Sequence, residues 1–403
     1  AMARGPTPAP TRFATLAALG DSRGPLWVSL PLPPRPPVFR PLSYTPPMIA
    51  RSWKWVLLAC APLGIAADVF DAGPITVFVL SALAVIPLAA FIGESTGHLA
   101  EHLGPSAGAL LNATFGNLAE MIIAIFAVRA GLLEVVKASL TGSILGNLLF
   151  VGGLSMLVGG WGRDSQRFNR LSSESTAGEM VVATGALLLP ALFFRMGGGE
   201  SHPDLMHEVS VGTALVLLVT YACGLWFTLR THRHLLRAGG GSDAGTPDEA
   251  VWPMGRATAA LLASSVAMAI MAEALVGAVE AVGQAWGLNE IFLGVVVLAM
   301  IGNAAENSAA VRFARRDRMD LALNIVTQAS VQIALFVTPV LVLLSFPLGH
   351  PLDLLFSTFE ILAVTLAVAT VAYLILNGES NWFEGVQLLA LYTMIAVAIY
   401  FLP

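Results

Sequence analysis

Long apolar runs recur along most of this chain and are separated by short polar stretches. Most runs are close to the ~20 residues that an α-helix needs to cross a bilayer. The predicted spans are 54–68, 75–99, 106–129, 135–160, 178–196, 207–229, 257–280, 289–313, 320–346, 353–376 and 382–402. The pattern therefore predicts an all-α polytopic membrane protein with eleven transmembrane helices.

The composition supports a membrane protein and excludes several other classes. Of 403 residues, 56% are hydrophobic and 12% charged, and the mean hydropathy is +0.76, whereas soluble domains carry about 25% charged residues. The two cysteines, Cys60 and Cys223, lie in apolar segments, which excludes a disulfide framework or a cysteine-based zinc module. The net charge of −5 argues against a nucleic-acid partner.

The first fifty residues differ in kind from the rest. Half of the 24 prolines lie between Pro6 and Pro47, and the only acid in this stretch is Asp21. Because proline at this density prevents helix and sheet, we expect residues 1–50 to form a disordered tail. The stretch lacks the apolar core of a signal peptide. A transit peptide and a true start at Met48 both stay open.

The charges of the loops predict the orientation of the chain. Arginines crowd alternate loops, at 161–170, 230–256 and 312–318, whereas the loop at 197–206 carries Glu200 and Asp204. Under the positive-inside rule the basic loops lie in the cytoplasm. This predicts a cytoplasmic N-terminus, an external C-terminus and a cytoplasmic linker at 230–256, which is rich in glycine and charge.

An internal repeat relates the two halves of the chain. A shift of 186 residues places GNLAE (116–120) on GNAAE (302–306), with eleven identities over the 39 residues of 113–151. Five predicted spans separate the copies, an odd number, so the repeat is inverted across the membrane, as in alternating-access transporters. The predicted organisation is a tail (1–50), a peripheral first helix (51–72), a five-helix repeat (73–229), a linker (230–256) and a second five-helix repeat (257–403).

The repeat centre carries candidate cation ligands. Glu120 and Glu306 lie inside apolar segments, where a carboxylate is costly unless it faces a cavity, a partner or a cation. An asparagine and a glycine precede each glutamate, so carboxylate, amide and carbonyl oxygens come together, a set that suits Ca²⁺. Such a glutamate can bind a cation while it is ionised, and it can carry H⁺ in place of the cation when it is protonated. The candidate set is Glu120, Glu306, Asn117, Asn303, Gly116 and Gly302.

Other polar residues near the repeat centre are weaker candidates. The segments 137–147 and 324–332 offer further oxygens, among them Ser143 and Gln332, and a buried glutamine amide must find partners. The two halves share a second feature, which is a pair of acidic residues seven positions apart. These candidate gating or accessory acids are Glu94, Glu101, Glu273 and Glu280.

Two stretches, 110–155 and 302–345, resemble the paired signatures of the cation/proton exchangers, a family of the Ca²⁺/cation antiporter superfamily. The resemblance implies one peripheral helix plus two inverted sets of five, and export of cytosolic Ca²⁺ driven by inward H⁺. No cofactor is implied, since Ca²⁺ and H⁺ are substrates. It implies a bacterial inner membrane or, in a eukaryote, a vacuolar-type membrane, and a homo-oligomer is compatible with it. By motif position it makes Glu120 and Glu306 the central cation-binding and proton-coupling residues, accompanied by Asn117, Asn303, Ser143 and Gln332.

The chain departs from the family pattern at two places. Asn307 stands where the family usually has histidine, and Gln328, Ala329 and Ser330 stand where it has Gly-Ser-Ser. Since Ala329 is the repeat mate of Ser143, one hydroxyl of the pair is missing. We expect a lopsided site, poorer in protein oxygens near Glu306.

Three other interpretations compete with a Ca²⁺/H⁺ antiporter. HLAEH (98–102) has the H-x-x-E-H spacing of some zinc proteases, but the repeat places Glu101 on Glu280, which has no flanking histidines. A cation channel could also use paired carboxylates. A Na⁺-coupled exchanger, or one for another divalent cation, is the nearest alternative. The favoured interpretation is a transporter and not an enzyme.

Overall fold

A computed structural model describes residues 49–195, 204–231 and 251–402. Most of them are helical, as the apolar pattern predicts. The α-helices are Ile49–Leu58, Cys60–Val69, Pro74–Leu103, Pro105–Phe115, Leu118–Arg129, Leu133–Leu145, Gly152–Gly160, Arg170–Phe193, Asp204–Trp226, Met254–Gly277, Val279–Trp286, Glu290–Phe292, Ala299–Gly302, Ala304–Arg315, Met319–Gln332, Thr338–Ser345, Thr358–Ile375 and Trp382–Tyr400. Four π-helical stretches continue some of them: Gly146–Val151, Phe227–Thr231, Leu293–Leu298 and Ile333–Val337. The tail up to residue 48, Glu200 and most of the 230–256 linker lie outside the described residues.

The structure does not confirm the exact number of eleven spans. Within the described ranges, nine helices are long and apolar enough to cross a bilayer, or ten if the sharply bent pair Val279–Trp286 and Glu290–Gly302 counts as one. The first predicted span consists of two ten-residue helices that meet at Ala59. The eighth, 289–313, is interrupted at Asn303. Average hydropathy does not register such breaks, which is why the pattern counted eleven.

Two helices are broken at the repeated motif. The first broken helix consists of Pro105–Phe115 and Leu118–Arg129, and the second consists of Glu290–Gly302 and Ala304–Arg315. In both, an asparagine with a non-standard ψ, Asn117 (22°) and Asn303 (0°), stands between the halves. Discontinuous helices of this kind free backbone groups at membrane depth and occur at the ion sites of transporters.

Two helices form the centre of the bundle, and we call them partner helices. The first runs over Leu133–Gly160 and the second over Met319–Ser345, and each buries 72% of its apolar window, more than any other candidate span among the described residues. Each also contains a π-helical stretch at the repeat-equivalent place, Gly146–Val151 and Ile333–Val337. The two copies therefore share local structure as well as sequence.

The first partner helix packs backbone to backbone on the second broken helix. A Cβ at Gly142 would overlap the backbone of Val295, and one at Gly294 would lie 2.8 Å from the carbonyl oxygen of Val135. Only glycine permits this approach. The equivalent contact in the other half differs, because Gln328 takes the place of Gly142.

A short two-stranded sheet was not expected from the sequence. Gln166–Arg167 pairs antiparallel with Glu379–Ser380, in register Gln166 with Ser380. The Gln166 amide also donates to Asp317 Oδ1 at 2.8 Å. This links the loop after the first partner helix to the loop that precedes the second.

Candidate cation-binding site

Both motif glutamates occupy the first turn of a half-helix. Glu120 is the third residue of Leu118–Arg129, and Glu306 is the third residue of Ala304–Arg315. Each lies one turn after the asparagine at the break, so the two groups project from the same part of the helix. The sequence motif thus produces the same local geometry twice.

Hydrogen bonds from the two asparagines cross between the repeats. Asn117 Nδ2 donates to Gln332 Oε1 at 2.7 Å, and Asn303 Nδ2 donates to Ser143 Oγ at 2.9 Å. Asn303 Oδ1 accepts from Asn147 Nδ2 at 3.4 Å. Each broken helix is therefore held by the partner helix of the other repeat, and four of the predicted site residues meet in two pairs.

The two motif glycines lie near residues of the opposite repeat, and Gly302 permits the closer approach. A Cβ on Gly302 would lie 3.0 Å from Glu120 Cγ, and a Cβ on Gly116 would lie 3.8 Å from Gln332 Oε1. Glu306 follows Gly302 by four residues, in the half-helix that begins directly after the break. The structure thus places Glu120 against the glycine of the other motif, and the roles of these residues in binding a cation stay a prediction.

Two buried oxygens at the site have no hydrogen-bond donor among the described residues, Asn117 Oδ1 and Glu120 Oε1. Asn117 is 1% exposed, so water offers it little compensation. A buried acceptor without a partner costs about 1–3 kcal/mol. A hard cation is a suitable partner for such oxygens, and protonation of Glu120 would remove the charge that is costly to bury.

The two halves of the site are unequal, but not in the predicted way. Ser143, in the first repeat, contacts Asn303 in the second, three residues before Glu306. The Asn117 side of the site has the longer Gln332 amide, while Ala329 carries only a methyl group. We expected fewer oxygens near Glu306 because we assumed that each partner helix contacts the broken helix of its own repeat. In the structure each partner helix contacts the broken helix of the other repeat.

The four accessory acids are found in two kinds of surroundings. Glu94 forms an ion pair with Lys54, and the other three, Glu101, Glu273 and Glu280, are exposed. In the described part of the chain, no hydrogen bond or ion pair joins any of them to Glu120 or Glu306. Their gating role stays a prediction.

The HLAEH histidines both contact one tryptophan. The His98 ring stacks on Trp252 with centroids 4.7 Å apart, and His102 Nε2 lies 2.8 Å from the Trp252 carbonyl oxygen. Among the described residues no group of three or more His, Cys, Asp or Glu side chains could hold a metal ion. These contacts give the histidines a packing role.

A buried lysine near one end of the first partner helix was not predicted from the sequence. Lys137, 5% exposed, donates to Asp353 Oδ1 at 3.2 Å and to the Leu355 carbonyl oxygen at 3.1 Å, and it lies 2.6 Å from Glu134 Oε1. We call these residues the Lys137 cluster. A lysine inside an apolar run is the signal that could have revealed it.

One turn further along, Thr141 Oγ1 donates to Glu360 Oε1 at 2.9 Å. Glu360 is 2% exposed and also completes the capping box of Thr358–Ile375 with Ser357. The Lys137 cluster and this bond tie the first repeat to the segment that follows the second partner helix. This end of the bundle is closed by polar bonds between the repeats.

Comparison with known proteins identifies the family. The model of the sodium/calcium exchanger protein family matches residues 73–230 and 256–401, which include both motifs and both partner helices. The chain belongs to the sodium/calcium exchanger protein family. The apolar helices and this membership make it a multi-pass membrane protein.

Several curated relatives within this exchanger family cover nearly the whole chain. A Ca²⁺/H⁺ antiporter of Synechocystis sp. is 42% identical over 365 residues, which is 86% of this chain and 97% of that protein. The Ca²⁺/H⁺ antiporter ChaA of Bacillus subtilis is 36% identical over 86% of this chain and 98% of its own length. A vacuolar calcium ion transporter of Schizosaccharomyces pombe is 35% identical, covering 90% of this chain and 88% of that protein.

Solved structures of exchangers have the same fold. The native YfkE structure superposes with a TM-score of 0.75 at 33% identity, covering 87% of this chain and all of that chain. The H⁺/Ca²⁺ exchanger CAX superposes with a TM-score of 0.65 at 15% identity, covering 87% of this chain and 92% of that chain. The likeness to CAX concerns the fold alone.

Proposed function

We propose that this protein is a secondary active antiporter that exchanges cytosolic Ca²⁺ for H⁺ by alternating access. The observation that carries the proposal is the meeting of the two motifs at one oxygen-lined site, where buried oxygens of Asn117 and Glu120 have no donor in the described structure. The names of the relatives in bacteria and in vacuoles support Ca²⁺ and H⁺ as the substrates.

In the proposed cycle the glutamate pair binds either substrate. A divalent cation between two carboxylates stabilises them, because its positive charge offsets the repulsion between their negative charges. When the cation leaves, protons neutralise the carboxylates instead. The site can then return to face the cytosol without the cation. The hydrogen bonds of Asn117 and Asn303 to the opposite repeat would link the contents of the site to the relative position of the repeats.

The direct test is Ca²⁺ uptake by the purified protein in liposomes under an imposed pH gradient, with and without Na⁺. Uptake that follows the pH gradient and ignores Na⁺ is expected. Uptake that needs a Na⁺ gradient would replace H⁺ by Na⁺ as the counter-ion. Ca²⁺ flux that runs down its own gradient without any counter-ion would indicate a channel.

We expect Glu120→Gln and Glu306→Gln each to abolish exchange while the protein still inserts and folds. Glutamine keeps the size of the side chain but removes the charge that offsets dehydration of a divalent ion. Glu208→Gln, at an exposed position of Asp204–Trp226, is the matched control and should exchange normally. Normal exchange by either motif variant would refute the assignment of the site.

A Na⁺-coupled exchanger is the second candidate function. The description of the family names sodium, and this chain carries Asn307 and Ala329 at two positions where it departs from the cation/proton exchanger pattern. Comparing Ca²⁺ uptake driven by equal Na⁺ and H⁺ gradients decides between the two coupling ions.

The membrane and the orientation are also part of the proposal. Bacterial and vacuolar relatives both match, so the host membrane is the plasma membrane of a bacterium or a vacuolar-type membrane. The arginines at 312–318 place that loop in the cytosol under the positive-inside rule. Labelling of a single introduced cysteine in this loop, from the cytosolic side only, is the expected result.

A further inference from the structure

The second partner helix carries a polar face that the first partner helix lacks. Four side chains at intervals of four residues form one inclined row on the helix surface, each next to the following one. They are Asp320, Asn324, Gln328 and Gln332. All four are at least partly exposed, while most of the residues between them are buried. The repeat-equivalent residues of the first partner helix are Glu134, Ala138, Gly142 and Gly146.

The two faces have different surroundings. Ala138 and Gly142 are buried against Gly294 and Val295, so the first partner helix has no space along this face. On the second partner helix, Gln328 in place of Gly142 prevents such packing. The polar face instead extends over thirteen residues, from Asp320 to Gln332, which is a rise of about 18 Å along the helix.

A half-buried acid on a neighbouring helix meets this face. The Gln328 side chain forms a hydrogen bond with the carboxylate of Glu179, in the apolar helix Arg170–Phe193. Among the ion pairs of the described residues, none includes Glu179. An intramembrane carboxylate without a basic partner marks ion or proton pathways. The site proposed above does not use Glu179.

A small polar cavity lies at one end of the same interface. It has a volume of about 20 Å³, room for about one water molecule. Its lining includes Asn169, Ser173, Thr176, Asp320 and Asn324. It therefore reaches from the loop that bears QRFN to within one helical turn of Gln328. The opposite end of the polar face is Gln332, which binds Asn117 of the cation site.

We propose that Glu179 and the face formed by Asp320, Asn324 and Gln328 carry protons between the cytosol and the glutamate pair, on a route separate from that of the cation. This inference rests on the proposed Ca²⁺/H⁺ exchange. The dimensions favour the proton, since Ca²⁺ takes six to eight oxygen ligands and the cavity holds about one water molecule.

The proposed proton transfer from the glutamate pair to the cytosol needs no reactant besides water. A proton leaves the carboxyl group of Glu120 or Glu306 along hydrogen-bonded water, and the Glu179 carboxylate takes it up as O–H. The site glutamate is left as a carboxylate, free to bind Ca²⁺. Glu179 then gives the proton to water at the Asp320 end and is a carboxylate again, so one proton has moved and only O–H bonds have changed.

Few charged groups surround Glu179. The Gln328 amide is the side chain that forms a hydrogen bond with its carboxylate. The titratable side chains on the elements packed against its helix are Asp320, Glu360, Tyr373, His207, Glu208, Tyr221 and Cys223, and its own helix carries Glu174 paired with Arg170. Of these, Asp320 lines the cavity at the end of the route.

The test compares two fluxes of the same liposomes. Ca²⁺/H⁺ exchange needs proton transfer, whereas Ca²⁺/Ca²⁺ exchange moves the cation with no net proton. We expect Glu179→Gln to slow Ca²⁺/H⁺ exchange by about a hundredfold, the low end of what a positioned proton-transfer group contributes, and to leave Ca²⁺/Ca²⁺ exchange unchanged. Glu179→Asp, which can still ionise, should restore most of the lost rate. Glu174→Gln on the same helix is the control and should resemble the wild type in both fluxes.

The other outcomes overturn the inference. If Glu179→Gln lowers both fluxes equally, the Glu179–Gln328 bond only holds two helices together. If it changes neither flux, protons take another route. If the wild type shows Ca²⁺/Ca²⁺ exchange but no coupling to H⁺, the proposed function fails and the proton route with it, and that result is visible before any variant is made.

Discussion

The site depends on glycines that only the folded structure explains. Gly302 lies against Glu120 of the other repeat, and a Cβ there would be 3.0 Å from Glu120 Cγ. We expect Gly302→Ala to displace the Glu120 side chain and to lower the Ca²⁺ transport rate at least about tenfold, because misplacing a reacting group by a fraction of an ångström is costly. Transport by the purified variant in liposomes measures this.

Gly97→Ala is the matched control for that change. Gly97 lies in Pro74–Leu103, and no atom of a neighbouring residue lies within 4 Å of the position that an alanine Cβ would take, so the methyl group meets open space. Since alanine favours helix over glycine, the control should be at least as stable as the wild type and transport normally. Equal activity of Gly302→Ala and Gly97→Ala would show that Glu120 does not need its observed position.

Ser143 provides a side-chain hydroxyl that accepts a hydrogen bond from a motif asparagine. We expect Ser143→Ala to weaken Ca²⁺ binding by about 1 kcal/mol, the usual worth of one polar contact, because Asn303 loses this acceptor. Ala329→Ser should strengthen Ca²⁺ binding by a smaller amount, since the Asn117 amide already has Gln332 as its hydrogen-bond acceptor. Binding titrations decide, and equal effects would place both side chains outside the ion's surroundings.

The candidate site could be predicted from the sequence to a large extent. The repeated motif marked both glutamates and both asparagines, and a buried amide at Gln332 was expected to find a partner. The partners themselves could not be predicted, because Asn117 and Gln332 are 215 residues apart and the pairing crosses the repeats. Glu179 and Lys137 gave only the weak signal of a charge in an apolar run.

The helices illustrate what periodicity reveals and what it omits. The pattern located the helical runs, but it treated 106–129 and 289–313 as continuous spans. Gly-Asn at 116–117 and 302–303 is a helix-breaking pair, and it could have predicted both breaks. The sheet formed by Gln166–Arg167 and Glu379–Ser380 was beyond prediction, since two-residue strands leave no alternating pattern.

The Lys137 cluster fastens the first partner helix to the chain after the second. Lys137→Leu copies Leu323, the repeat-equivalent residue, and leaves Asp353 without its cation. Breaking a buried ion pair costs about 3–5 kcal/mol, so we expect a clear drop in the Tm of the purified protein. Arg167→Gln breaks an exposed pair with Glu379 and should change the Tm little. Equal Tm shifts in the two variants would contradict a fastening role.

The two ends of the molecule differ although the repeats are related. At one end Lys137, Asp353, Thr141 and Glu360 close the interface between the repeats with polar bonds. At the other end polar bonds also join the repeats, from Gln166 to Asp317 and from the Asn169 backbone to Asp320. There, however, Asp320 and Asn324 of the second partner helix line a small cavity. Two of the residues that differ between the repeats contribute to this difference, since Leu323 stands at the position of Lys137 and Gln328 at that of Gly142.

The tail can be tested as a unit. The family match begins at residue 73, and residues 1–47 contain half of the prolines and none of the repeat. We expect a protein that starts at Met48 to insert and to exchange Ca²⁺ as the full chain does. Lower flux at equal protein level, measured in vesicles from the same host, would assign the tail a role in targeting or gating.

Competition between Ca²⁺ and H⁺ is the property that joins site and transport. Only an ionised glutamate is a good ligand, so Ca²⁺ binding must displace any proton on Glu120 or Glu306. Apparent Ca²⁺ affinity should therefore weaken as the pH falls from about 8 to 5.5, by up to about tenfold per pH unit for each displaced proton. Calorimetric titration in buffers of different ionisation enthalpy measures both the affinity and the protons released.

Two variants test whether the pH dependence of Ca²⁺ affinity arises at the glutamate pair. Glu120→Gln removes one titrating carboxylate, so any residual Ca²⁺ binding should release fewer protons and depend less steeply on pH, whereas Glu208→Gln should follow the wild type. An affinity that stays flat over the same pH range in the wild type would mean that the two ions do not share the carboxylates. Alternating access would then need a proton site elsewhere, and Glu179 would be the first residue to test.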